Sequence, residues 1–280
     1  MASVLEVLRL KRPRPSVSVV RLSGVIGARP GALQPGGLVA ANLVQTLERA
    51  FAMKGAVAVA LAINSPGGAP AQASLIVKRI RSLAKEYELP VFAFCEDVAA
   101  SGGYMLACAA DEIYADDTSI VGSIGVISAG FGFPELLKRY GVERRVYTAG
   151  TSKSMLDPFQ PEKPDEVEHL KDLQREVHDA FKELVRERRA GKLKAGEDEL
   201  FTGAFWTGRR ALGYGLIDGI GELTDVMKAR FGEKVRFRPF AQREGWLKRR
   251  LGIESRHERH MLDGVIGAID ERLWWARFGL

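Results

Sequence analysis

Cysteine and histidine are both scarce in this chain of 280 residues, which has two cysteines and four histidines. Cys95 and Cys108 lie in apolar surroundings and form neither a Cys-x-x-Cys nor a zinc-binding pattern. We therefore expect two buried free thiols, as in a reducing compartment, and no disulfide. Metal-binding and nucleotide-binding motifs are also lacking, so we expect no cofactor.

Long hydrophobic runs are lacking as well. The longest run of small and apolar residues, 98–110, is too short for a membrane span and is interrupted by Gly102-Gly103. The N-terminal stretch 3–8 is too short for the apolar region of a signal peptide and contains Glu6. We therefore expect a cytoplasmic protein, with a peripheral position at the inner face of the membrane as the alternative.

Much of the excess positive charge lies near the two ends of the chain. The net charge is +6, and basic residues cluster at 9–14 and 248–250. Because no nucleic-acid motif accompanies them, we interpret these clusters as solvated charge and expect no nucleic-acid partner. The length fits one compact unit with appended segments. We place a basic N-terminal segment at 1–16, the main domain at 17–238 and a basic, aromatic tail at 239–280.

Buried strands alternate with amphipathic helices over the first half of the chain. Residues 57–63 and 90–95 are continuous apolar runs, which is typical of strands buried on both faces of a parallel sheet. This alternation predicts an α/β fold with right-handed crossovers, followed by a long helix. Strands are predicted at 17–22, 57–63, 90–95, 113–115 and 142–147, and helices at 38–53, 71–87, 102–110 and 162–189, with a short helix beginning near Thr207.

Two glycine-rich corners follow the two buried strands. One is Asn64-Ser65-Pro66-Gly67-Gly68 and the other is Ser101-Gly102-Gly103. The carboxyl ends of parallel strands open on one edge of the sheet, where ligands bind. Free backbone N–H groups at two such corners, with a hydroxyl between them, are the parts of an oxyanion hole with a nucleophile. Two ordinary tight turns are the alternative.

A nucleophilic serine needs a base, and no histidine is well placed to be one. His169 and His178 belong to the long charged helix, and His257 and His260 to the basic tail, so we interpret all four as surface residues. A lysine can act as the base when burial and nearby dipoles favour its neutral form. Lys153 follows a predicted strand in a loop of small residues, but the residue pattern alone does not single it out.

Several motifs in a fixed order carry a resemblance to a known family. They are Ile63-Asn64-Ser65-Pro66-Gly67-Gly68, Ala99-Ala100-Ser101-Gly102-Gly103-Tyr104, Ala109-Ala110-Asp111, Gly122-Ser123-Ile124-Gly125-Val126, Ala149-Gly150-Thr151-Ser152-Lys153, Thr207-Gly208 and Gly215-Leu216-Ile217-Asp218. In this set, which covers about 17–228, the chain resembles the signal peptide peptidase A and SohB group of Ser–Lys serine peptidases. The resemblance implies a ClpP/crotonase-like parallel-sheet core of ββα-type repeats, here as a single-unit short form without the membrane anchor common in the group.

The resemblance also implies roles for individual residues. Ser101 would be the nucleophile, Lys153 its general base and Ser123 the hydroxyl that orients the lysine. The N–H groups of Gly68 (or Gly67) and Gly102 would form the oxyanion hole. The implied activity is a serine endopeptidase acting on peptides, such as released signal peptides or unfolded and membrane-derived fragments. Because the dyad can be completed across a subunit boundary in this family, we expect a ring-like homo-oligomer.

Three other functions share some of these features. A Clp-type protease shares the first glycine corner, but 122–126 stands where its catalytic histidine belongs. A crotonase-type acyl-CoA enzyme would use two N–H donors without needing both Ser101 and Lys153. A non-catalytic, membrane-associated scaffold would need neither. The tail adds one more alternative, because residues 261–280 predict a helix with an apolar face that packs on a neighbouring subunit or contacts a membrane surface.

Overall fold

The structure is a computed structural model that describes residues 14–27, 37–241 and 275–278. The basic cluster at 9–14 lies outside the described residues except for Arg14, and so does the tail helix predicted at 261–280 except for 275–278. His257 and His260 also lie outside them. Among the described residues, no helix is long and apolar enough to cross a membrane.

One mixed sheet organises the fold. Its main path runs in the order β6-β5-β3-β2-β1-β8, and β4 joins β3 to β7 beside that path. All pairings are parallel except the antiparallel pairing of β5 with β6. The strands are β1 (Ser16–Ser23), β2 (Ala56–Ser65), β3 (Val91–Ala100), β4 (Glu112–Ala115), β5 (Ile120–Gly122), β6 (Phe205–Thr207), β7 (Gly219–Ile220) and β8 (Arg236–Phe240).

Helices cover both faces of the sheet. The predicted long helix is confirmed as α5, and the predicted crossover helices as α1, α2 and α3. The helices are α1 (Ala40–Phe51), α2 (Pro70–Tyr87), α3 (Gly102–Ala107), α4 (Pro134–Arg139), α5 (Pro164–Arg188), α6 (Glu197–Leu200), α7 (Gly208–Tyr214) and α8 (Leu223–Phe231). The predicted α/β fold with a parallel-sheet core is therefore confirmed.

Alternating side chains of the buried strands divide the core into two layers. On β2, Leu61 and Ile63 point into the larger layer, which contains α1, α2 and α3, whereas Ala60 points to the opposite face. On that face Phe92 of β3 packs beside Met227 of α8. Because both faces of the sheet are covered there, residues 57–63 of β2 and 91–95 of β3 are continuously apolar rather than alternating.

Strand β3 is longer than the sequence predicted. The prediction ended at Cys95, because Glu96 and Asp97 interrupt the apolar run, but the strand continues to Ala100. Both acidic side chains have partners, since Glu96 forms an ion pair with Arg21 and Asp97 accepts a hydrogen bond from Asn64. The first half of β3 pairs with β4 and the second half with β5.

The strand predicted at 142–147 is wrong. This segment has the β-branched composition of a strand, but it pairs with no strand of the described chain. Val142 is 54% exposed and Tyr147 is 91% exposed. The residues have a high strand propensity, but no neighbouring strand of the described chain offers them hydrogen bonds.

Candidate active site

Ser101 and Ser123 stand at the carboxyl ends of two neighbouring parallel strands. Ser101 follows β3 and Ser123 follows β5, and Ala100 is paired with Gly122 in the register. The Ser101 N–H donates to the carbonyl of Gly122 at 2.8 Å. The Ser123 N–H donates to the carbonyl of Ala204 at 2.7 Å. The sheet therefore brings together the two serines that the sequence predicted.

Both serines have an unusual backbone conformation. Their φ angles are 52° for Ser101 and 53° for Ser123, and among the described non-glycine residues only Glu88 and Leu156 also have positive φ. Such a conformation costs about 1–3 kcal/mol per residue and persists where the surrounding structure imposes it. Strain of this kind concentrates at functional sites, so its presence at both serines marks this edge of the sheet as a candidate active site.

The first glycine corner touches Ser101 directly. Gly67 has a φ of +104°, and a Cβ added to it would lie 2.8 Å from the Cβ of Ser101 and 2.9 Å from the nitrogen of Gly102. Real Cβ atoms do not approach other atoms so closely. Glycine is therefore required here by both the backbone angle and the close approach of the two corners.

Side chains of the same motif hold this corner in place. The hydroxyl of Ser65 donates to the carbonyl of Gly24 at 2.7 Å and accepts the N–H of Gly67 at 3.2 Å. The amide of Asn64 donates to Asp97 at 2.6 Å. The sequence placed Asn64 and Ser65 in a motif without giving either a role, and the structure shows that they fix the backbone around the corner.

The hydrogen bonds around the corner decide which N–H groups remain free. The Gly67 N–H is already bonded to Ser65. Gly68 pairs with Ile26 in an isolated β-bridge, but the hydrogen bonds of that bridge are made by its neighbours. The Ile26 N–H donates to the Gly67 carbonyl at 2.7 Å, and the Ala69 N–H donates to the Ile26 carbonyl at 2.8 Å. The N–H groups of Gly68 and Gly102 have no partner among the described residues. Of the two glycines that the sequence left open, Gly68 is thus the one with an available donor.

A cavity of about 490 Å³ opens beside Ser101 and Gly102. Its walls come from α2, from α5 and from the segment Gly125-Val126 after Ser123. Gly68 also lines it, so both unpaired N–H groups belong to residues at this cavity. Its volume is in the range of sites that bind small molecules or a short stretch of peptide.

Within one chain, Lys153 is not among the residues that line the cavity beside Ser101. Lys153 is exposed, and its amine has no partner in the part of the chain that the structure describes. Its neighbourhood exposes large apolar side chains, among them Phe131 at 79%, Tyr140 at 73% and Tyr147 at 91%. The role of Lys153 therefore stays a prediction.

Of the two histidines that the structure describes, His178 is the one that contacts the segment after Ser123. It is half-buried on α5, and its Nε2 lies 3.1 Å from the carbonyl oxygen of Ile124, the residue after Ser123. It does not line the cavity at Ser101. His169 is on the same helix, nine residues earlier.

The last family motif has a structural role. Arg189, only 1% exposed, donates to the carbonyl of Gly215 and to the carboxylate of Asp218, the latter at 2.6 Å. Burial opposes ionisation of Asp218, but hydrogen bonds from Arg189 and Lys192 outweigh it and lower the pKa of this carboxyl. The motif therefore anchors the end of α5 to the sheet.

The two cysteines are buried and free, as predicted. Burial raises the pKa of each thiol to about 12. A thiol that stays protonated is a poor nucleophile, so neither cysteine competes with Ser101 as a candidate nucleophile.

Comparison with known families identifies the chain. Residues 84–235, more than half of the sequence, match the model of peptidase family S49. The chain belongs to this family. The matched range contains Ser101, Ser123 and Lys153, and the family membership confirms the resemblance drawn from the motifs.

Curated relatives agree with this assignment. The serine protease SPPA of Arabidopsis thaliana chloroplasts is 31% identical over 78% of this chain and 32% of its own length. The putative signal peptide peptidase SppA of Enterococcus faecium is 30% identical over 69% of this chain and 56% of its own length. A Brucella melitensis protein named Na(+)/H(+) antiporter NhaA is 51% identical over 97% of this chain, but the match covers only 38% of the Brucella protein. The chain thus spans 32–56% of the length of these relatives.

A solved structure confirms the fold. A mutant of the membrane-bound stomatin-specific protease 1510-N aligns with a TM-score of 0.50, covering 81% of this chain and 98% of the other. The sequence identity is 16%, so the likeness concerns the fold. It supports the ClpP/crotonase-like core that the motifs implied.

Proposed function

We propose that the chain is a serine endopeptidase with Ser101 as its nucleophile. The observation that carries this proposal is the position of Ser101, at a strained strand end beside two unpaired glycine N–H groups and a cavity. Membership of peptidase family S49 gives the same activity. Released signal peptides are the substrates to test first, because the Enterococcus relative is named a putative signal peptide peptidase.

The proposed reaction is acyl transfer in two steps. The Ser101 hydroxyl attacks the peptide carbonyl carbon while its proton passes to Lys153. The oxyanion that forms accepts hydrogen bonds from the N–H groups of Gly68 and Gly102. Lys153 then gives the proton to the departing amine, and the carbon–nitrogen bond breaks. Water hydrolyses the resulting ester with Lys153 again as base, which restores the serine.

A serine-reactive fluorophosphonate tests the nucleophile. Wild-type protein should form a covalent adduct at Ser101, found by mass spectrometry of the digested chain. Ser101→Ala should form none, while Ser82→Ala, which removes an exposed serine on α2, should be labelled like the wild type. Labelling that persists undiminished in Ser101→Ala would contradict the proposal.

The base is supplied, in our proposal, by a second copy of the chain. Within one chain Lys153 is exposed and does not line the cavity, although the family motif assigns it to the reaction. The segment around it carries apolar side chains that one chain leaves uncovered, including Phe131 and Tyr147. Contact with another copy would bury that surface and could bring Lys153 to the neighbour's Ser101 and Ser123. In a closed homo-oligomer, every Ser101 would receive a Lys153 from a neighbouring chain.

Mixing two inactive variants tests this arrangement. Ser101→Ala and Lys153→Ala chains should each be inactive alone. After exchange of subunits, Ser101 of one variant can meet Lys153 of the other, so cleavage of a reporter peptide should return to roughly a quarter to a half of the wild-type level. A mixture that forms hetero-oligomers but stays inactive would show that both residues must come from the same chain.

A further inference from the structure

The cavity beside Ser101 has an apolar interior and a charged mouth. Val77, Met105 and Phe181 line its interior and are at most 7% exposed. Lys78 on α2 and Glu183 and Glu187 on α5 line it as well and are exposed to solvent. A long side chain with an apolar stem and a charged end fits such a cavity, with the stem in the apolar interior and the charge at the mouth.

The two glutamates form no ion pair with a described residue, although Arg186 attracts Glu183 from the same helix. Glu183 and Glu187 lie one turn apart on α5, where like charges repel. Neither forms a hydrogen bond or an ion pair with a described residue, and the same holds for Lys78.

The other cations of this part of α5 are already engaged. Arg186 is paired with Glu197, Lys182 with Asp179, and Arg188 with Asp111. Among the residues that line the cavity, one lysine and two glutamates carry charge, so the lining has a net negative charge.

We propose that this cavity receives the substrate side chain on the acyl side of the scissile bond and favours lysine and arginine there. The proposal rests on the proposed peptidase activity. The methylene groups of such a side chain lie along Val77 and Phe181, and its cationic end reaches the mouth, as long basic side chains do at apolar surfaces. Glu183 and Glu187 are then specificity-determining residues, and acidic side chains are disfavoured.

Three peptides that differ only in the acyl-side residue test this preference. Lysine, norleucine and glutamate are compared by kcat/KM, since norleucine keeps the apolar stem of lysine without its charge. For the wild type we expect lysine to exceed norleucine about fivefold, because exposed ion pairs contribute modestly, and glutamate to be cleaved most slowly. The lysine preference should shrink as salt is raised.

Substitutions show which residues cause the preference. For each protein we compare kcat/KM for the lysine peptide with kcat/KM for the norleucine peptide, because this ratio does not depend on the fraction of active enzyme. In Glu183→Gln/Glu187→Gln the ratio should fall to about one. In Lys78→Gln it should rise, because a competing cation is gone. Glu176→Gln, on the same helix but outside the cavity lining, should keep the wild-type ratio.

The outcomes separate this proposal from the one it rests on. A wild-type ratio of one or less with active cleavage overturns the specificity, and so does a preference that survives in the double variant. If no peptide is cleaved and Ser101 is not labelled by the fluorophosphonate, the peptidase assignment itself fails.

Discussion

Ser65 connects the first glycine corner to the chain just after β1, so removing its hydroxyl tests how the proposed oxyanion donors are held. This side chain is fully buried and makes two hydrogen bonds, to the carbonyl of Gly24 at 2.7 Å and from the N–H of Gly67 at 3.2 Å. In Ser65→Ala both backbone groups lose their partner. The Gly67 peptide is then free to rotate, and with it the neighbouring N–H of Gly68.

Two separate effects follow from this change. Loss of the hydrogen bonds and the unpaired groups left behind should destabilise the fold by about 2 kcal/mol, which for a chain of this size lowers Tm by roughly 4–8 °C. Deleting an oxyanion donor costs about 10²–10³ in kcat. Because Gly68 is displaced rather than deleted, we expect a fall in kcat of about 10- to 100-fold. KM should change little, since the donors act mainly in the transition state.

Ser18 provides a matched control. Ser18 lies on β1, is also fully buried and does not line the cavity at Ser101. Its hydroxyl donates to the carbonyl of Ala50 at 2.6 Å. Ser18→Ala should lower Tm by a similar amount while leaving kcat near the wild-type value. Both variants are measured by thermal unfolding and by steady-state cleavage of one peptide. If Ser65→Ala lowers kcat no more than Ser18→Ala does, the idea that Ser65 positions the donors is refuted.

Two further substitutions test the close contact at Ser101 and the anchor of α5. Gly67→Ala should abolish fluorophosphonate labelling, because its Cβ would lie 2.8 Å from that of Ser101, whereas Gly55→Ala, also at positive φ but with nothing within 4 Å, should keep it. Asp218→Asn should destabilise the fold by about 3 kcal/mol in urea titrations at pH 7, since it leaves the buried Arg189 guanidinium without its carboxylate. The pKa of Asp218 is lower in the folded chain than its unfolded value of about 3.9, so the ionised carboxylate stabilises the fold above that pH. This stabilisation is lost as the pH falls through the pKa of the folded chain. The loss of unfolding free energy in Asp218→Asn, relative to the wild type, should therefore become smaller in acid. A deficit that is constant with pH would contradict that assignment.

The central part of the fold could be predicted because its sequence signals are local. The strand β2 and the first half of β3 are continuous apolar runs, and each strand is followed by a glycine corner that the sequence shows directly. Ser101 and the glycines at 67, 68 and 102 follow from those corners. Parallel strands then bring the two corners to one edge, as the structure confirms.

Other features depend on partners distant in sequence and could not be predicted in the same way. The three-residue strand β5 is recognisable only through its pairing with β3 and β6, and that pairing places Ser123 beside Ser101. The bond between Arg189 and Asp218 joins residues 29 positions apart. Residues 142–147 show the reverse case, in which a strand-like composition finds no partner.

The two residues of the proposed dyad lie in parts of the fold that differ in packing. Ser101 follows a strand buried on both faces, so the proposed nucleophile and its proposed oxyanion donors are held within a single chain. Lys153 belongs to a segment that exposes Phe131 and Tyr147, and such a segment gains stability when another surface covers it. Under our proposal, covering that segment and supplying the base are one event. An isolated chain would then hold a nucleophile without a base, and mass action would tie peptide cleavage to assembly.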